Sequence, residues 1–182
     1  MKLIEVKRQF EDASRQARAV VEGLSAEQMT HRPQPGRWSV AECLVHLSLT
    51  SRAYLPILSS ALDGARQERL FGDGSFKMDI KGRLLRWMIE PPPKFRVRAP
   101  ENFQPLEVGS PIEVLPTFLA LQEQLEASVE QSAGLALDKV KINSPFDRRV
   151  RYNLLSCFNL LAAHERRHLW QAEQVRKSLG EA

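Results

Sequence analysis

The chain has 182 residues, 43% of them hydrophobic and 26% charged, with a net charge of +4. That length suits a single domain over residues 1–182 with a core large enough to need no disulfide or structural metal. The composition excludes a disordered or fibrous chain.

The basic residues are scattered, with local pairs at Arg148-Arg149 and Arg166-Arg167 and no run of about five like charges. A solvated basic surface is expected, and no nucleic-acid partner. Cys43 and Cys157 each sit in an apolar helical stretch, which points to reduced thiols and a cytoplasmic setting. Charges at Lys2, Glu5 and Lys7 interrupt any secretory core, so no signal peptide is expected. No run of about 18 apolar residues is present, so no membrane span and no membrane partner are expected.

The first helix is expected from about Lys2 to Leu24. Leu3, Val6, Phe10, Ala13, Ala17, Val20 and Leu24 recur at helical spacing and form one apolar stripe. Ser25 with Gln28 three residues on suits the cap of a short helical turn. The stretch 31–36, with Pro33, Pro35 and Gly36, breaks it. Ser39 and Glu42 form a capping box for the second long helix, whose stripe is Val40, Cys43, Leu44, Leu47, Tyr54, Leu58 and Leu62. Pro56 is expected to kink this helix and Gly64 to end it.

Residues 65–109 read as a long irregular connection, punctuated by Gly72, Gly74, Pro91, Pro92, Pro93 and Pro100, with one short helix around 81–89. Ser110 and Pro111 open the third long helix, with Glu113 in its first turn and Gly134 at its end. Its stripe is Leu115, Phe118, Leu121, Leu125 and Val129, and Pro116 leaves the first turn open. The fourth runs from about Tyr152 to Leu179 and closes at Gly180. Four long amphipathic helices without strand-like alternation give an all-α four-helix bundle. The long connection between helices 2 and 3 argues against a simple up-down-up-down order.

Three of the four histidines fall inside long helices. His164 and His168, four residues apart, project from one face about a turn apart, the spacing with which two imidazoles grip one ion. At about 100° per residue, His164 lies about 60° and His168 about 20° to one side of the stripe centre at Leu161. Both therefore point toward the bundle interior. His46 also borders an apolar stripe, and bundles build metal sites from facing helices. The alternative is a packed or surface histidine pair. Residues 164–168 also read as H-E-x-x-H, the zinc-peptidase motif. No histidine follows His168, and position 174, where the extended motif needs one, is Gln174.

The run Gly36-Arg37-Trp38-Ser39-Val40-Ala41-Glu42-Cys43-Leu44-Val45-His46-Leu47 resembles the W-S-x-x-E-x-x-x-H-L signature of the DinB/YfiT-like superfamily. Ala163-His164-Glu165-Arg166-Arg167-His168-Leu169-Trp170-Gln171-Ala172 resembles the closing H-x-x-x-H helix of that superfamily. The resemblance spans most of the chain and is weakest at residues 65–109. It implies a four-helix bundle, a homodimer, and a divalent ion, zinc or nickel, on His46, His164 and His168. It also implies a metal-dependent thiol transferase, or a related hydrolase or isomerase, acting on a small electrophile with a low-molecular-weight thiol. The alternative is a non-catalytic metal- or small-molecule-binding stress-response protein.

Glu165, about 40° from Leu161 on the apolar side, is the candidate catalytic residue. It is placed either as a general base or acceptor for a ligand imidazole, or in an ion pair with Arg37 or Arg166. Cys43 and Cys157 read as core residues that also lie within turns of the histidines. His31 reads as a surface residue. Trp38 and Trp170 read as packing residues at helix ends, with a pocket mouth as the alternative. Trp87 is a candidate for a substrate lid.

Overall fold

A computed structural model describes residues 3–92, 94 and 98–180 of the chain. Helix α1 spans Leu3–Val21 and buries Val6, Phe10, Ala13, Ala17 and Val20, the stripe that its periodicity requires. A short helix α2, Ala26–Thr30, opens on the Ser25–Gln28 capping box. Helix α3, Val40–Gln67, opens on the Ser39–Glu42 box. The buried Glu42 carboxylate also takes the Arg32 guanidinium, which pins the Pro-rich loop to the start of α3.

Gly64 does not end α3. The helix passes through Pro56 and Gly64, and Arg69, at φ 54°, is the residue that turns left-handed. The Leu70 N–H then bonds the Ala65 carbonyl at 2.9 Å and closes the end. Pro56 is exposed, so water can take the Arg52 carbonyl that a proline leaves without a helical donor.

Helix α4, Ile80–Ile89, and a 3₁₀ turn at Glu101–Phe103 order part of the long connection. Helix α5 covers Pro111–Gln131 and is helical from Pro111, with Pro116 inside it. A hairpin of β1, Lys141–Asn143, and β2, Arg151–Asn153, leads into α6, Leu154–Leu179. The expectation of no strand is corrected here. Three residues per strand are too few for the alternation to stand out from a loop, although Ile142 and Tyr152 are buried.

The four long helices close a ring in the order α1, α5, α3, α6, so α1 and α3 face each other across it. Phe10 of α1, Leu58 of α3, Leu125 of α5 and Phe158 of α6 are fully buried in one cluster. The hairpin is tied to α3 by a hydrogen bond of 2.5 Å between the Tyr54 and Tyr152 hydroxyls. Burial pushes both phenols above their ordinary range, so they stay protonated.

Asp79 joins three elements. Its carboxylate caps α4 by accepting from Gly82 N–H at 2.9 Å and accepts from Asn153 N–H at 2.7 Å. Lys141 Nζ and Ser156 Oγ each donate to it at 3.1 Å. Burial opposes its charge, but these donors outweigh burial and hold the carboxyl below its ordinary value of 3.8. A depressed carboxyl contributes stability above its unfolded value and loses it as pH falls. Asp79→Ala is expected to cost about 3 kcal/mol near neutral pH, from a lost cap and charged hydrogen bonds. In urea unfolding, the gap from wild type should narrow as the pH falls through the depressed range of this carboxyl and the wild-type group protonates.

Candidate metal centre

His46 lies in the second turn of α3, and His164 and His168 lie on consecutive turns of α6. Because α3 and α6 are neighbours in the ring, the three imidazoles converge. One ligand nitrogen from each lies within 4.8 Å of the others, with His46 Nε2 and His164 Nε2 3.1 Å apart. His46 and His168 are buried and His164 is half-buried.

The rings are oriented by their outer nitrogens. The Phe103 carbonyl lies 2.7 Å from His46 Nδ1. A carbonyl only accepts, so Nδ1 carries the proton and the Nε2 lone pair faces the cluster. His168 Nδ1 lies 3.2 Å from Gln171 Oε1, which holds that ring in the same sense. His164 Nδ1 is buried without a hydrogen-bond partner among the described residues. Burial lowers the pKa of all three imidazoles, and the neighbouring imidazole charges and Arg167 push His164 and His168 further down. They are therefore neutral near pH 7, the form that ligates metal.

The surroundings are aromatic. Trp38 sits 4.7 Å from His46 and 5.5 Å from His168 between ring centroids. Phe146, in the hairpin loop, sits 5.7 Å from His164 and 4.2 Å from Phe103. This collar limits water around the imidazole nitrogens and lowers the local dielectric. Three neutral nitrogens crowded together, two with their lone pairs fixed inward, are a poor apolar core and a good donor set for a divalent ion. The residues present fit such an ion.

Glu165 is buried and turns toward α5, where its Oε1 accepts from Gln122 Nε2 at 2.7 Å. It is not in the group of side chains within 4.8 Å of one another. Burial raises its carboxyl to about 8, so it is largely protonated near pH 7. Arg166 does not ion-pair with it and bonds Glu90 instead, at 2.6 Å. Cys43 and Cys157 are fully buried with thiols pushed up by burial, and neither joins the histidines. His31 is exposed, as expected.

Phe103, Phe146 and Gln171 are site residues that sequence reasoning did not single out. Gln171 was visible as the residue three positions after His168, on the same helical face. Phe103 and Phe146 lie in Pro-flanked loops, where no periodicity shows which way a side chain points.

No curated protein and no solved structure gives a match to this chain. The family model of the DinB superfamily matches residues 9–172, which include all three histidines and both capping boxes. With that match over most of its length, a mostly helical fold and a three-histidine cluster between neighbouring helices, the chain belongs to the DinB superfamily.

Proposed function

We propose that this protein holds one zinc or nickel ion on His46, His164 and His168 and uses it to transfer a low-molecular-weight thiol to a small electrophile. The observation that carries this reading is the donor set: three neutral imidazoles aimed at one point inside an aromatic collar. Three protein ligands leave coordination positions free, which is the pattern of a reactive site and not of a closed structural one. When bound, such an ion supplies Lewis acidity, which lowers the pKa of a thiol or water beside it.

The chain's own residues supply orientation and exclusion of water. Phe103 and Gln171 fix two of the imidazoles. Trp38 and Phe146 shield them and offer apolar surface to an electrophile. His164 Nδ1 is buried and has no hydrogen-bond partner among the described residues, so nothing on that side of the ring fixes its tautomer. For Glu165, the role that its contacts support is a neutral acid clamped on Gln122. That clamp fixes the rotation of α6 and with it the direction of His164 and His168. A homodimer in a cytoplasmic setting belongs to the same reading, and sedimentation tests the assembly.

The test is turnover of a chromogenic electrophile by zinc- or nickel-loaded protein, with and without glutathione, bacillithiol or mycothiol. Thiol-dependent loss of the electrophile that vanishes in His164→Ala/His168→Ala is the expected result. Loss without thiol would replace transfer by hydrolysis. A loaded protein inert toward every pair would leave a non-catalytic binding protein.

A further inference from the structure

Helix α4 buries one face and leaves another bare. Its Gly82 lies against Ser156 of α6, and Leu85 and Ile89 pack onto the main core. Ile80, Leu84 and Trp87 are 74%, 56% and 54% exposed. At positions i, i+4 and i+7 they share one side of the helix and form an apolar stripe.

The exposed charges on and next to this helix are cations, and the nearest exposed acids in sequence are Asp73 and Glu101, beyond its flanks. From residue 74 to residue 100, the exposed charged side chains among the described residues are Lys77, Lys81, Arg83, Lys94 and Arg98, all cations. The two acids of the stretch are engaged internally. Asp79 is held by Gly82, Asn153, Lys141 and Ser156, and Glu90 by Arg86 and Arg166. Lys94 Nζ lies 3.7 Å from the Trp87 ring centroid, so one cation rests directly on the stripe.

We propose that α4 is a peripheral docking face for an anionic lipid surface. Ile80, Leu84 and Trp87 enter the boundary between headgroups and acyl chains, and the flanking cations meet lipid phosphates. The pattern is that of a helix lying in the membrane interface: apolar on one side, basic at its flanks, and carrying a tryptophan, whose indole prefers that boundary. The absence of a spanning run, from which no membrane partner was expected, does not bear on a helix that lies on a surface. A second copy suits this face poorly, because pairing would bring the two sets of cations flanking α4 together.

Co-sedimentation with vesicles decides the matter. The full-length protein is mixed with vesicles of phosphatidylcholine alone and with vesicles that also contain phosphatidylglycerol. The expected result is binding to the anionic vesicles only. It should weaken about tenfold or more at about 1 M salt, where the screening length falls to roughly 3 Å. Leu84→Glu/Trp87→Glu should abolish it. These positions are exposed, so the variant should keep its thermal midpoint and its metal content. Tryptophan emission should shift to the blue on binding in wild type and not in Trp87→Phe. Three results would each overturn the proposal: no binding to either vesicle, binding untouched by the double substitution, or a wild-type dimer that the double substitution splits.

Discussion

His46→Ala lowers zinc or nickel affinity by more than about 100-fold, a larger loss than the roughly 10–100-fold typical of removing a group behind a ligand. The expectation rests on geometry. Of the three clustered histidines, His46 is the one on α3, and its Nε2 sits 3.1 Å from His164 Nε2, so its loss would open the α3 side of the proposed centre. His164→Ala/His168→Ala should take metal content from about one ion per chain to none, because a single imidazole chelates nothing. Mass spectrometry of the purified protein reads this directly. Thermal unfolding reads it independently. At an ion concentration about a hundred times the dissociation constant, wild type should gain about 2.7 kcal/mol and the double variant nothing. Gln171→Leu is the graded control: it removes only the acceptor on His168 Nδ1 and should cost about tenfold. An unchanged metal content in His46→Ala would remove His46 from the centre and leave the pair on α6 in need of another partner.

Gly82→Ala unfolds more easily than wild type, although helix propensity by itself predicts the reverse. Alanine is favoured over glycine in a helix by about 1 kcal/mol. A Cβ at position 82, however, would lie 2.2 Å from Ser156 Oγ and 2.3 Å from Ser156 Cβ. Ser156 cannot yield. It is fully buried in the first turn of α6, and Asn153 and Asp79 hold it on both sides. Helix α4 must move off α6, and the net cost is expected to be about 2–3 kcal/mol. Urea midpoints of Gly82→Ala, Ser156→Gly and the pair form the decisive cycle. Removing the Ser156 side chain makes room, so the double variant should be more stable than the sum of the singles by more than about 1 kcal/mol. A stabilised Gly82→Ala would mean that α4 does not sit this close to α6.

Much of the fold was legible from local pattern. The stripes of α1, α3, α5 and α6 are the periodic positions of the sequence, and both capping boxes, Ser25–Gln28 and Ser39–Glu42, formed as read. Local pattern misled where an equally local rule had a tertiary answer. Gly64 suggested a stop, but it is helical, and Arg69 makes the left-handed turn once Leu70 finds core to pack on. Glu165 was rightly placed on the inner side of α6. Its partner was misjudged because Glu90, from the unreadable connection, takes Arg166 and leaves Gln122 to meet the acid.

The sequence by itself determined the four long helices, the capping boxes of α2 and α3, and two histidines on one inward face of α6, because these depend on contacts within a turn or two. Only the tertiary structure decided that α3 packs beside α6 and so brings His46 to that pair. It alone turned a loop carbonyl at Phe103 into the group that fixes the His46 tautomer, and left Ile80, Leu84 and Trp87 uncovered. The reason is physical. A helix repeats every 3.6 residues and shows its faces in any short window. Which faces meet depends on packing summed over segments far apart in the chain, and no short window contains it.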